Sequence, residues 1–437
     1  MAKTVSKRNG DPETPVRTTF TRSRQLDFFS EEELSKQTGH DRDEWPRVFL
    51  KELIDNSLDA CDEQGIVPDI SVRCESTSIE VADNGCGIPA DTVAQMLDFD
   101  SRTSSRADYV APDRGAQGNA LKTLTGIAYV VGGTLSIQSH GVLHSISIDV
   151  DPLRQIPVVS HQQSESDRTS GTVVRLEWPK TEDGKWPMGY KNSDLEHVKI
   201  SWMLFGFAAV NPHLTIYLNW FGKDSCKHIT FDAFWKKWKP LQPTSAHWYK
   251  QEHLIRLAAA YITAGQDMLV RDFISLFDGL SRTAKRKAVL EAAGLQRAKL
   301  SDLMTPDNEF EKLSSLLREM QAYSSPVKPK ALGVIGREHL TQMLQKYGGA
   351  DSIRYKRTEG FNDGLPYVLE MGFARVKGLK HTHFVSGANF SAGINDLFER
   401  TRGWIEDLSY DDPVLIFTHI VCPRLNFADR GKGALLL

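Results

Sequence analysis

Glu52-Leu53-Ile54-Asp55-Asn56-Ser57-Leu58-Asp59-Ala60 precedes Asp83-Asn84-Gly85-Cys86-Gly87-Ile88 and then Arg114-Gly115-Ala116-Gln117-Gly118, and the reading of these three stretches decides the fold. In the first, Leu50, Leu53, Ile54, Leu58 and Ala60 recur at helical spacing between charged and amidic positions, which predicts an amphipathic helix. Glu52 and Asn56 then share a face one turn apart, with Asp59 on nearly the same side a turn further on. That spacing suits a carboxylate that polarises water beside an amide oxygen that completes a Mg²⁺ shell. Taken alone, such a helix is more often a solvated polar stripe.

The second stretch gives it meaning. Ile79-Glu80-Val81-Ala82 alternates like a strand and runs into Asp83-Asn84-Gly85-Cys86-Gly87, where two glycines permit backbone conformations that other residues resist. A backbone of that kind can lie flat against a planar base, and Asp83 at the strand end can accept from an exocyclic amine, reading adenine against guanine. A plain turn between strand and helix is the competing reading of an isolated D-N-G. In the third stretch, Gly115 to Gly118 precede the apolar helical run Ala120, Leu121, Leu124 and Ile127, and backbone amides at a helix start bind phosphate oxygens. With the strand Gly171-Thr172-Val173-Val174-Arg175-Leu176 beyond them, the three parts in this order make an ATP site without a Walker loop.

This order resembles the Bergerat-fold, or GHKL, ATPases: gyrase-type topoisomerases, Hsp90, MutL and sensor histidine kinases. The resemblance implies Glu52 as general base, Asn56 as Mg²⁺ ligand, and Asp83 as adenine reader, with Asp59, Gly85, Gly87 and Ile88 at the nucleotide. It places Gly115, Ala116, Gln117, Gly118, Asn119 and Ala120 in a phosphate-covering lid, and Thr172 on the strand that supports Asp83 and the adenine. Ala120 departs from the family, where another glycine is common. Glu52 argues for hydrolysis over phosphate transfer to histidine, which has no use for activated water.

At 437 residues the chain is too long for one ordinary core, so two or three domains are expected. With 40% hydrophobic and 25% charged residues it reads as globular. No apolar stretch approaches the roughly 20 residues needed to span a bilayer, and the basic N-terminus has no apolar segment after it. A cytoplasmic protein, with nucleoid association open to it, is the expectation, and no membrane partner. The five cysteines, Cys61, Cys74, Cys86, Cys226 and Cys422, are scattered without C-x-x-C spacing, which disfavours disulfides and zinc. A net charge of -3 gives no global attraction to nucleic acid, so DNA contact must come from local patches. Two patches qualify: Lys236, Lys237 and Lys239 interleaved with Trp235 and Trp238, and Arg282, Lys285, Arg286, Lys287, Arg297 and Lys299 around Glu291.

Along the chain, residues 1–19 read as a flexible tail, 20–245 as the ATPase domain, 246–325 as an all-α insert and 326–437 as an α/β domain. Gln162 to Thr169 and Thr181 to Asn192 read as exposed loops. Helices are expected at Glu309 to Tyr323, Leu340 to Lys346 and Ala392 to Ile405, and strands at Tyr367 to Phe373 and Pro413 to Val421. The fold class is therefore α+β.

This order, with His247-Trp248-Tyr249, Gly333-Val334-Ile335-Gly336, Val385-Ser386-Gly387-Ala388-Asn389, Phe417-Thr418-His419-Ile420-Val421 and Gly431-Lys432-Gly433-Ala434, resembles the B subunits of the DNA topoisomerase VI family. The resemblance implies a Bergerat-fold sandwich with a strap from Phe20 to Phe29, a helix-two-turn-helix insert and a ribosomal protein S5-like transducer. It implies Lys432 as the switch lysine at the γ-phosphate, with Lys328 and Lys330 as a second-choice pair. Cofactors are then ATP and Mg²⁺. The partners are duplex DNA, a second copy on ATP binding, and a topoisomerase VI A/Spo11-like cleavage subunit, since no tyrosine with an acidic metal site is recognisable here. The helical stalk that holds the cleavage subunit in the family either follows Leu437 or is replaced by another contact. Two other classes fit the same residues: a conformational scaffold of the MutL or Hsp90 kind, and a non-catalytic DNA-binding assembly factor of a break-forming or defence complex.

Overall fold

The computed structural model describes residues 28–99, 109–114, 120–151, 153, 156–182, 184–188, 193–239, 242–304, 309–347, 353–376, 381–399, 414–427 and 434–436. Its first part runs α1 (Glu31–Thr38), α2 (Trp45–Gln64), β1 (Asp69–Cys74), β2 (Ser78–Asp83), α3 (Ala90–Met96), α4 (Ala120–Val130), β3 (Thr134–Ser139), β4 (Val142–Asp151), β5 (Ile156–Glu165), β6 (Thr172–Glu177), α5 (Ser193–Val210), β7 (Thr215–Trp220) and β8 (Lys223–His228). The eight strands form one sheet in the order β5-β4-β3-β6-β2-β1-β7-β8. Only β1 and β7 pair in parallel; the other neighbours are antiparallel.

Alternation explains the sheet's two faces. Ile70, Val72 and Cys74 of β1 point inward while Asp69, Ser71 and Arg73 face water, and Leu135, Ile137, Val174 and Leu176 continue the inner face. Helices α2, α4 and α5 cover that face. Gly65 ends α2 in the left-handed conformation (φ 69°), and its amide closes on the Asp62 carbonyl.

Next come α6 (Gln251–Thr263), α7 (Val270–Ile274), α8 (Thr283–Ala293) and α9 (Glu309–Tyr323), with α9 packed on both α6 and α8. The last part holds α10 (Arg337–Gln345), β9 (Arg354–Asn362), β10 (Leu365–Arg375), β11 (His383–Ala388), β12 (Ser391–Ala392), β13 (Val414–Val421), β14 (Asn426–Phe427) and β15 (Leu435–Leu436). Its sheet has five strands, β12-β11-β13-β10-β9, and β14 pairs with β15 separately. Central β13 is buried on both faces, as its unbroken apolar run demands. Glu370 of β10 is fully buried and its carboxylate accepts from the Ile335 and Gly336 amides (both 2.8 Å) and the Tyr355 hydroxyl (2.6 Å). A carboxylate placed there fixes and complements the start of α10.

The α+β class and α9 agree with the sequence reading, whereas three local expectations are corrected. Ser391 and Ala392 pair back on β11, and residues 393–399 form turns, so the helix expected from Ala392 is absent over the described part of that range. Its apolar spacing serves the core instead: Leu397 and Phe398 are buried. In Thr181 to Asn192, Trp186 and Met188 are core residues, with Trp186 donating to the Glu75 carbonyl (2.9 Å). Gln162 to Glu165 belong to β5.

Among the buried histidines are His228, His339 and His419. Burial holds their imidazoles down, to about 4 for His228 and His339 and to about 3 for His419, which also faces the charge of Arg114. Geometry agrees, because His419 Nε2 accepts from the Phe390 amide (3.1 Å), a role a protonated ring cannot play. An unfolded histidine titrates near 6.5. Between that pH and about 4 the unfolded chain therefore binds protons that the native chain refuses, so stability is present above pH 6.5 and is lost on acidification. Each histidine should cost roughly 1 kcal/mol by pH 5.5. Calorimetric melting temperatures should fall steadily from pH 7 to 5, and a flat profile would contradict the assignment.

Candidate active site

Strand β2 delivers Asp83 to the inner edge of the sheet, where the residue is 6% exposed. Oδ1 accepts from the Gly85 amide (2.9 Å) and the Thr172 amide (3.1 Å), and Oδ2 accepts from the Ser57 hydroxyl (2.9 Å). Arg168 donates to the Asp83 carbonyl. Burial raises the Asp83 carboxyl above the usual range, against the hydrogen bonds from Gly85, Ser57 and Thr172 that favour the anion. Gly171 lies so close that a Cβ there would stand 2.0 Å from the Asp83 carbonyl oxygen, and its φ is +68°, so only glycine fits. Gly87 also has a left-handed φ (83°), and the Ile88 amide donates to Ser139 Oγ (2.7 Å). Asp83, Gly85, Gly87, Ile88 and Thr172 are thus brought together as one bonded loop system.

On α2, Glu52 is partly exposed, with Lys51 Nζ 3.7 Å from its Oε1. Asn56 is exposed and makes no hydrogen bond among the described residues. Asp59, expected at the nucleotide, accepts at Oδ1 from the Arg114 guanidinium (2.7 Å). Ala120 opens α4. Gly115, Ala116, Gln117, Gly118, Asn119 and Lys432 lie outside the described residues.

Beside these runs a buried ionic network that the motifs did not announce. Arg114 reaches Asp59, Asp62 Oδ2 (2.8 Å), Asn211 Oδ1 (2.7 Å) and the Phe390 carbonyl (3.1 Å). Lys237 Nζ is 2.7 Å from Asp62 Oδ2, and His213 Nε2 is 2.8 Å from Asp62 Oδ1. Burial pushes Asp62 up, but the charges of Lys237 and Arg114 outweigh it and carry the carboxyl far below its usual range. Lys51 bonds Asp55 Oδ2 (2.9 Å); burial works against its charge, but Asp55 and Glu52 hold the proton more firmly than usual. Lys237, expected on a basic surface patch, is thereby a buried ion-pair partner, and Trp238 beside it is core. A signal existed: Asp55, Asp59 and Asp62 repeat along one helix stripe and need cations. Ser57 also had one, as a polar residue on an apolar face that must find a partner.

Chemically, the arrangement offers a fixed acceptor beside a glycine-bent backbone, and a carboxylate and an amide oxygen accessible on the neighbouring helix. Residues 42–182 match the family model described as "Histidine kinase-, DNA gyrase B-, and HSP90-like ATPase". The chain is 24% identical over 428 residues to the B subunit of type 2 DNA topoisomerase 6 from Methanosarcina acetivorans, covering 90% of this chain and 66% of that one. To the protein of the same name from Saccharolobus solfataricus it is 25% identical over 347 residues (74% and 61% covered), and to that from Metallosphaera sedula 26% over 424 residues (88% and 74%). The chain spans about two thirds of the length of the first of these relatives, at 66%. Among solved structures, the Aquifex aeolicus MutL ATPase domain complexed with ADP aligns at 12% identity and TM-score 0.37, covering 85% of this chain and 89% of that one. The ATPase region of Saccharomyces cerevisiae topoisomerase II aligns at 12% identity and TM-score 0.39 (89% and 76%). Over most of its length the α+β chain is thus similar to the B subunits of type 2 DNA topoisomerase 6, and its residues 42–182 match the histidine kinase-, DNA gyrase B- and HSP90-like ATPase model.

Proposed function

We propose that the chain binds and hydrolyses ATP and works as the ATP-operated clamp of a type II topoisomerase-like complex on duplex DNA, beside a separate cleavage subunit of the A type. The observation that carries this is the Asp83 carboxylate, fixed by three donors next to a helix that leaves Glu52 and Asn56 accessible. Asp83 Oδ2 would accept the adenine amine, and Gly85 and Gly87 would let the backbone approach the base. Glu52 would take the proton of the attacking water. Asn56, exposed and without a protein partner among the described residues, fits a hard cation through its amide oxygen. Mg²⁺ held there would neutralise phosphate charge. Glycines 115 and 118 would cover the phosphates.

Closure with ATP would bring two copies together, the segment from Phe20 to Phe29 crossing between them. Lys432 would report the γ-phosphate. Supporting this, Phe427 of β14, the strand that precedes Lys432 in sequence and pairs with β15 after it, lines a cavity together with Lys51, Asp113 and Arg114. The DNA surface would be α8 and its continuation, where Arg282, Lys287, Arg297 and Lys299 are exposed.

Equilibrium binding of duplex DNA across a salt series, with ATP turnover followed in parallel, tests this reading. Affinity should fall steeply with salt, DNA should stimulate turnover, and replacing Arg282, Lys287 and Lys299 with glutamate should weaken binding at least tenfold, counting each lost phosphate contact at roughly 1 kcal/mol. ATPase activity indifferent to DNA would replace the clamp with a scaffold.

A further inference from the structure

Three consecutive residues, the two that join β11 to β12 and the first of β12, reach into the ATPase part. Asn389 Nδ2 donates to the Asp113 carbonyl (3.2 Å), the Phe390 carbonyl accepts from Arg114 Nε (3.1 Å) and Asn211 Nδ2 (2.9 Å), and the Ser391 hydroxyl donates to Asp55 Oδ2 (2.7 Å). Asn389 and Phe390 both hold left-handed backbone, at φ 50° and 66°. That conformation costs non-glycine residues about 1–2 kcal/mol each. The five-stranded sheet enforces it: the Asn389 amide donates to the Ile420 carbonyl (2.9 Å), Asn389 Oδ1 accepts from the Cys422 amide (2.9 Å), and His419 receives the Phe390 amide (3.1 Å). A turn strained on one side and aimed at buried charges on the other has a fixed position relative to both.

The charges it touches lie on or against the helix that carries Glu52 and Asn56. Arg114 is 4% exposed and holds Asp59 and Asp62. Asp55 shares one carboxylate oxygen between Ser391 and Lys51, and Lys51 stands beside Glu52. Helix α2 therefore has two adjoining stripes. Lys51, Asp55, Asp59 and Asp62 face the network; Glu52 and Asn56 face the nucleotide. A helix is stiff, so a shift of the first stripe displaces the second.

We propose that the Asn389–Ser391 turn positions the nucleotide site, holding the back of the Glu52 helix directly through Asp55 and, by way of Arg114, through Asp59 and Asp62, so that nucleotide binds tightly only when the five-stranded sheet is docked. Ser391 and Arg114 are positioning residues in this scheme; neither needs to touch the nucleotide. The inference rests on the ATP-site reading above. By reciprocity, nucleotide must then favour docking by the same factor.

The test is calorimetric titration of the full chain with AMP-PNP and Mg²⁺, with ATP turnover measured alongside. Ser391→Ala should weaken AMP-PNP about 5- to 30-fold, within the range of ordinary site–site coupling. Asn389→Gly, which tolerates the left-handed turn and removes its side-chain ties to Asp113 and Cys422, should act in the same direction and serves if Ser391→Ala does not fold. Ser391→Ala combined with Asp55→Asn should lose no more than the worse single variant, because both break one bond. Wild-type AMP-PNP affinity in a folded Ser391→Ala and in Asn389→Gly overturns the inference alone, as do additive losses in the pair. Failure of the wild-type chain to bind AMP-PNP overturns the ATP reading and this inference with it.

Discussion

Glu52→Gln is expected to lower ATP turnover by about 10²- to 10⁴-fold, the usual worth of a positioned general base, while AMP-PNP affinity changes less than threefold, on the order of 0.6 kcal/mol. The substitution is isosteric, and Glu52 is partly exposed, so the helix itself is not at stake. Lys51 keeps Asp55 as its 2.9 Å partner and is not left as a lone buried charge. A loss confined to kcat identifies an interaction made only in the transition state. Turnover at the wild-type rate would remove Glu52 from the chemistry.

Asp83→Asn should separate nucleotide recognition from stability. The Gly85 and Thr172 amides both point at one carboxylate oxygen, so the replacement amide must put its oxygen there and its NH₂ toward Ser57. Ser57 can accept from it, and the fold should hold. At the base, however, a donor now meets the adenine amine where an acceptor is needed. Losing a hydrogen bond to a charged group and opposing two donors costs about 2–4 kcal/mol, or roughly 30- to 1000-fold in ATP affinity. Asp83→Ala should instead destabilise the protein, because it strands three buried donors at about 1–3 kcal/mol each. Fluorescence titration with a labelled ATP and a thermal melt distinguish the two; ATP affinity unaltered in Asp83→Asn would refute the adenine assignment.

The parts of the site that are legible in the sequence are those written in local periodicity. Helix α2 shows its apolar stripe over five positions, and the turn after β2 shows its glycines. Gly171 reads as the start of a strand, but not as the one residue able to pass the Asp83 carbonyl, because that contact joins two segments distant in sequence. Arg114 stands in a motif noticed for its glycines, while the partners of its own charge lie far off in sequence, on α2, at Asn211 and at Phe390. Lys237 misleads for the reverse reason: a lysine among tryptophans looks like a surface until Asp62 is placed beside it. The helix expected from Ala392 fails because burial of Leu397 and Phe398 from a turn produces the same apolar spacing as a helix face.

Helix α5 carries a consequence for how this chain can be divided. It lies between the two sheets, touching β7 and β8 on one side and β11 and β12 on the other, and a Cβ on Gly206 would approach Ala392 Cβ to 3.1 Å. Ile200, Met203, Leu204, Phe205, Phe207 and Ala208 leave its second half no polar face. An excised ATPase segment would present that oily flank to water and should aggregate rather than stay dissolved. Heating should melt both sheets in one cooperative step. For the same reason, a lineage that recombined its C-terminal sheet with a foreign ATPase segment would have had to exchange the matching flank of α5 as well, which makes this helix the seam along which such chimaeras succeed or fail.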